Sequence, residues 1–425
     1  MWINILYILI IQNILNQVKS DDDYQILSNS GNKGVAITSF TKNLYLLSSS
    51  YNYKIMNQNY LPIKNNTDNT NLGNQNTFYK NFEMVEASIN VNTKESVFLI
   101  TDNLGANNKI NLYSFNITST VNEQNPNLIY STNSASKESR ISLINAGIDK
   151  YLLSYIFNDT RFENIWFKYT YYEGFQILKS FIIDTNIISG MSCFLLHDQF
   201  PICFYSTKEN DNKYYLKIIL HNTIFINEKA FGRPEYNIID IGVSNDKIIF
   251  TKAIYLSGNH AVFCYMKENQ ILYHDIIHLE LNFEDLSLTS NLIDKYERSN
   301  CKNDINQIDI IKISDTKFVL GCVNSNNKIS LDIVTIEIPS YNIIDNKNHD
   351  IDKNAKTTLT LFLHEVDLYN NYFGIIFDDS SDSKLKYTYL NLPFCSKKES
   401  IEILKIKFEG TNIKKFKLSE FLDIT

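Results

Sequence analysis

The feature that most constrains this chain is a unit that recurs along it. The unit is an apolar strand, a short polar turn, a second and very apolar strand, a polar loop, and an alternating strand. The first copy runs from Val35 to Phe40, turns at Thr41-Lys42-Asn43 and returns over Leu44 to Leu47. The third has Ile141 to Ala146, Asp149-Lys150, Tyr151 to Phe157 and Ile165 to Tyr172. The fourth has Met191 to Leu196, His197-Asp198-Gln199, Ile202 to Tyr205 and Tyr214 to Leu220. The fifth is longer: Ile238 to Val243 and Asp246-Lys247, then a loop with Gly258-Asn259, then Ala261 to Tyr265 and Ile271 to Leu281. The sixth pairs Ile308 to Ile313 with Phe318 to Val323 across Asp315-Thr316-Lys317, and similar copies start near Val85 and Leu359.

Unit starts fall roughly 50 residues apart, with about four short strands in each, which is the pattern of a propeller blade. The second strand is the most apolar in most copies. A strand covered on both faces loses the alternation of a half-exposed one. The reading is therefore all-β: a β-propeller of seven blades over residues 21–425 as a single domain, with a six-bladed ring or tandem β-sandwiches as the alternatives. Closure is favoured because it leaves only short, protected sheet edges. Tyr24 to Leu27 reads as a short strand expected to pair with the last unit at the seam. The copies Lys150-Tyr151-Leu152-Leu153-Ser154-Tyr155 and Lys317-Phe318-Val319-Leu320-Gly321-Cys322 resemble the propeller-like repeat regions of secreted and surface proteins of ciliates and other protists. That resemblance implies a fold and a compartment, with no activity attached.

Residues 1–20 read as a secretory signal peptide. Ile5 to Ile11 is an unbroken apolar run, Val18-Lys19-Ser20 offers a cleavage context, and Asp21-Asp22-Asp23 opens a polar chain, although no Lys or Arg precedes the apolar core. Beyond it, no stretch has the length of apolar residues a membrane span needs. The expected location is secreted or on the outer face of the cell. Asn, Ile, Lys and Tyr are abundant, as AT-rich codons would make them. With a net charge of −7 and no basic cluster, a nucleic-acid partner is not expected.

In that compartment the six cysteines form an even set. Cys193 and Cys203 lie equally far from a turn centred near Asp198, so antiparallel pairing places them opposite each other as disulfide candidates. The competing reading makes Cys203, Cys264 and Cys322 small buried hydrophobes of matching second strands. Asn65, Asn116 and Asn158 stand in N-x-T sequons and are the glycosylation candidates.

No motif for catalysis or a cofactor survives inspection, and none is assigned. His274, Asp275, His278 and Glu280 look like a metal box, but the helical H-E-x-x-H pattern is broken and the surrounding Ile271 to Leu281 reads as a strand. Asp378, Asp379 and Asp382 lack the spacing of a calcium loop. Turn acids Asp149, Asp198, Asp246 and Asp315 have a structural explanation as turn residues. The expectation is a non-catalytic binding module for a protein or glycan ligand, with a glycan-directed hydrolase or lectin carrying carboxylates at the ring centre as the alternative. The segment Tyr296 to Gln307 breaks the repeat, and Tyr296, Arg298, Lys302 and Asp304 are its candidate contact residues.

Overall fold

The computed structural model describes strands between residues 25 and 391 and side chains at positions between 110 and 381. Residues 1–24 and 392–425, with several turns, lie outside the described residues. Among the described residues there is no α-helix. Strand β1 (Gln25–Ser28) is followed by β2 (Val35–Thr41), β3 (Leu44–Ser49), β4 (Tyr53–Asn57) and β5 (Pro62–Asn65), of which β2 to β5 form the first four-stranded unit. The second is β6 (Phe82–Asn90), β7 (Glu95–Leu104), β8 (Lys109–Ile117) and β9 (Asn127–Thr132). The third is β10 (Ile141–Asn145), β11 (Lys150–Phe157), β12 (Arg161–Thr170) and β13 (Gly174–Asp184). The fourth is β14 (Ile187–Leu196), β15 (Phe200–Lys208), β16 (Tyr214–His221) and β17 (Tyr236–Ser244). The fifth is β18 (Ile248–Tyr255), β19 (His260–Lys267), β20 (Leu272–Leu281) and β21 (Leu288–Arg298). A seven-stranded sheet holds the rest: β22 (Ile308–Ser314), β23 (Lys317–Val323), β24 (Lys328–Ile336), β25 (Ile343–His364), β26 (Tyr372–Asp379), β27 (Leu385–Asn391) and β1. Its 22-residue β25 serves two units, pairing with β24 over its first half and with β26 over its second, with a register shift between Ala355 and Leu359.

The first strands of successive units are neighbours all the way round. β2 touches β6, β6 touches β10, and the series continues through β14, β18 and β22 to the second half of β25, which touches β2 again. This closed circuit of inner strands makes the chain a β-propeller. The first and last described strands meet in one sheet: β1 pairs antiparallel with β27, Gln25 opposite Tyr387 and Ile26 opposite Lys386. The expected seam strand at Tyr24 to Leu27 is thus present, one residue along.

Among the described residues, each junction between units is a separate apolar core. Trp166, Phe162 and Leu152 of the third unit pack on Tyr205 and Ile219 of the fourth. Phe204 and Ile218 of the fourth meet Phe263 and Ile277 of the fifth, with Phe204 and Phe263 edge to face at 4.9 Å. Val262, Leu272 and Ile276 meet Ile310, Phe318 and Leu320 at the next junction, and Val319 and Leu331 meet Leu361 and Ile375 beyond it. The second strands supply both faces of these cores. The alternation expected of a sheet with one wet face is therefore missing there, and β15 is buried at eight of its nine positions.

The fifth repeat is phased differently from the sequence reading. Ile238 to Val243 belongs to β17, the outer strand of the fourth unit, and the inner strand of the fifth is Ile248–Tyr255. Both segments are β-branched and apolar, and what separates them is burial. β17 is mostly half-exposed, with Val243 59% exposed, whereas β18 packs into two cores. Asp246 consequently precedes the inner strand and lies at the opposite end of the ring from Asp315, because alternate turns of an antiparallel sheet lie at opposite ends. Asp149, Asp198 and the outer strand expected at Ile401 to Phe408 lie outside the described residues.

Candidate functional site

The inner strands are linked by a repeated polar tie. Ser142 of β10 accepts a hydrogen bond from the backbone N–H of Cys193 in β14 at 3.0 Å. Ser192, next to that cysteine, accepts from the N–H of Ala253 in β18 at 3.1 Å and donates to its carbonyl at 3.3 Å. Lys252, next to that alanine, forms an ion pair with Asp309 of β22. The second oxygen of Asp309 accepts from the N–H of Leu361 in β25 at 2.8 Å. At the first two steps the residue before the tethered amide carries the next tie. A single polar side chain inside an apolar strand, as in Ile141-Ser142-Leu143 or Ile308-Asp309-Ile310, is the only trace of this in the sequence, where it reads as an irregularity. Lys252 cannot accept a bond, so at its step Asp309 caps the N–H of Ile310 itself, at 2.9 Å.

Among the described residues, polar chemistry concentrates at the junction of the fifth and sixth units. At one end, His260 opens β19 and lies opposite His278 of β20, with His260 Nε2 and His278 Nδ1 3.1 Å apart. The His260 ring stacks on Tyr341 of the sixth unit at 3.5 Å, and the Tyr341 hydroxyl lies 2.8 Å from Ser257 Oγ. Burial and the neighbouring His278 hold the His260 pKa below its ordinary value. Gly258 and Tyr341 both adopt positive φ, +56° and +58° respectively, and the Gly258 carbonyl accepts from Tyr255. Lys312 of β22 reaches back to the Leu256 carbonyl and pairs with Asp315 at 2.7 Å.

Nearer the rim, Arg298 of β21 crosses to Asp332 of β24 at 2.5 Å and also bonds Ser330. Asp332 is fully buried, and burial outweighs the Arg298 charge in raising its carboxyl pKa. His274 is fully buried beside Tyr296 and Phe318, and burial pushes its imidazole down to about 3. Neither His274 nitrogen has a hydrogen-bond partner among the described residues.

Cys193 and Cys203 are directly opposite in register and joined as a disulfide. A second disulfide, Cys301 to Cys322, joins the segment before the sixth unit to β23. The repeat pattern does not reveal it, because Cys301 lies outside any strand of the repeat. Cys264 is buried, as the hydrophobe reading expected. The metal box is not gathered: His274 and His278 share a face of β20 but lie about 13 Å apart along it. No group of three or more His, Cys, Asp or Glu side chains able to hold a metal ion occurs among the described residues. Tyr296 and Arg298 lie in strand β21, not in a loop, and Arg298 is consumed by its ion pair. A strand with alternating charges and few apolar residues reads as a loop, and the outer strand of a sheet has that composition because only one face is covered. Lys302 bonds Asn327, and Asp304 lies outside the described residues. Asn65 ends β5, Asn116 pairs with Val97 inside β8, and Asn158 lies outside the described residues.

No family model matches the chain, and no curated protein matches it. Solved structures do. The BP39L lectin from Burkholderia pseudomallei superposes with a TM-score of 0.58 at 8% identity, over 86% of this chain and 96% of that one. Sqt1 of Chaetomium thermophilum, solved with the N-terminus of the ribosomal protein L10, gives 0.48 at 7% identity, over 86% and 89% of the two chains. The Aleuria aurantia lectin gives 0.44 at 9% identity, over 75% and 96%. At these identities the likeness is one of fold. Among the described residues no helix is long and apolar enough to cross a membrane.

Proposed function

We propose that this chain is a seven-bladed binding module, secreted or held at the cell surface, that recognises a glycan or protein ligand without turning it over. The observation that carries the reading is the state of the ring's inner strands. The five inner strands with described side chains, β10, β14, β18, β22 and the second half of β25, carry one carboxylate between them, Asp309, while the side chains of Glu83 and Glu86 in β6 lie outside the described residues. Asp309 is committed to Lys252 and to two backbone N–H groups, so it serves the ring instead of a substrate. A hydrolase at the ring centre would need two carboxylates facing one bond. The fold match to a protein named as a lectin supports a carbohydrate as the ligand. The two disulfides support an oxidising compartment.

The contact surface is the end of the ring that carries the turns 256–259, 282–287 and 337–342. Phe283 in the second of these is 60% exposed and packs its flank on His197 and Phe200 of the fourth unit. An exposed aromatic ring seated against other rings offers an apolar anchor to a ligand. The test sets a glycan array and a surface-protein pull-down beside a screen of glycosidase substrates. Saturable binding weakened about ten-fold by Phe283→Ala, with an unchanged melting curve, supports the module. Turnover abolished by one carboxylate substitution overturns it.

A further inference from the structure

We propose that His260 and His278 form a cross-strand dihistidine site for a borderline divalent cation of the Zn²⁺, Cu²⁺ or Ni²⁺ class. The two residues are directly paired across β19 and β20, so both imidazoles stand on the same face of the sheet. His260 Nε2 and His278 Nδ1 are 3.1 Å apart. Two nitrogens bound to one tetrahedral ion at about 2.0–2.1 Å lie about 3.3 Å apart, so the pair is spaced for one metal with little movement. The Tyr341 ring stacked flat on His260 fixes that ligand's plane, and the Tyr341 hydroxyl is itself held by Ser257. The residue opposite His278 on β21 is Asn291, which brings no competing charge. Lys312, one of the cations that cross this junction, is turned to the Leu256 carbonyl and to Asp315. With two protein nitrogens, water completes the coordination, and imidazole donors favour these ions over Mg²⁺ or Ca²⁺.

The metal-free pair holds one N–H between the two rings. On binding, that proton moves to the other nitrogen of the ring that carries it, and each neutral imidazole presents a lone pair.

The experiment is a calorimetric titration of the purified, metal-stripped full chain with zinc chloride at pH 7.5, repeated with copper chloride and read by electron paramagnetic resonance. One ion per chain is expected, with imidazole nitrogen coupling in the copper spectrum. His260→Ala and His278→Ala should each weaken binding about ten-fold or more, and His274→Ala should leave it unchanged. His260→Asn and His278→Gln replace the alanine variants if either of those melts early. A parent chain that binds no ion overturns the site, as does one that binds with equal affinity after both histidines are replaced. Neither result bears on glycan or protein recognition, which is read by the array.

Discussion

The hydroxyl of Ser192 makes a two-way bond with the backbone of Ala253, so one side chain fastens the fourth unit of the ring to the fifth. Both groups are buried, and Ser192→Ala leaves the Ala253 N–H without this acceptor. The expected loss is about 1–3 kcal/mol, measured by denaturant unfolding. Ser192→Thr, which keeps the hydroxyl, should recover part of it. An alanine variant as stable as the parent would remove the tie from the account of ring closure.

Asp309 should be the most sensitive of these positions. It answers Lys252, Ile310 and Leu361 at once. Asp309→Ala strips two buried amides and a partly buried ammonium of this partner, and a loss of about 3–5 kcal/mol is expected. Lys252→Met should cost less, because the carboxylate retains both amide donors. A double-mutant cycle on the pair separates the charge contribution from the amide bonds.

Asp275 gives stability a pH dependence of known sign. Burial raises its carboxyl to about 6, against the opposing pull of Tyr265 and Lys295. The folded chain therefore holds this proton more tightly than the unfolded chain does. The associated stability is complete below about pH 4 and is lost as pH rises through about 6. Asp275→Asn should raise stability at pH 7 by about 3 kcal/mol at most and change it little at pH 4. His274 acts in the opposite sense. Its imidazole is pushed down to about 3 by burial and then by Arg298, so its contribution is present above about pH 6.5 and lost as pH falls towards 3. The measurement is thus the difference between variant and parent at each pH. A difference that does not vary from pH 4 to 7 would refute the assignment.

Deleting residues 21–29 removes β1 and uncovers the edge of β27. A clearly lower melting temperature and a tendency to associate are expected, followed by scanning calorimetry and light scattering. A truncated chain that melts like the parent would mean that β1 is dispensable for closure.

A non-reducing peptide map should recover Cys193 linked to Cys203 and Cys301 linked to Cys322. Reduction should cost about 3 kcal/mol for each bridge, given the short loops they close. Free thiols at all four positions in secreted material would contradict the pairing.

The residues of this chain alone determined that it would be built from short antiparallel strands in repeating units. Runs such as Tyr151 to Phe157 and Phe318 to Val323 are β-branched and aromatic without helical spacing, and burial on both faces is written in their lack of alternation. The Cys193–Cys203 pair was legible for a similar reason: a hairpin fixes register locally. Tertiary structure decided what depends on distant neighbours. Ile238 to Val243 and Ile248 to Tyr255 are both Ile-rich runs, and only the packing of one between two cores makes it the inner strand. In sequence His278 reads against His274, four residues away on its own strand, whereas its partner is His260 across the sheet. Arg298 carries a charge that in sequence points to solvent, yet Asp332, 34 positions later, draws it into the junction. A repeat shows in sequence because every copy must bury the same faces, while the partner of a polar side chain is set by which strands the closed ring brings together.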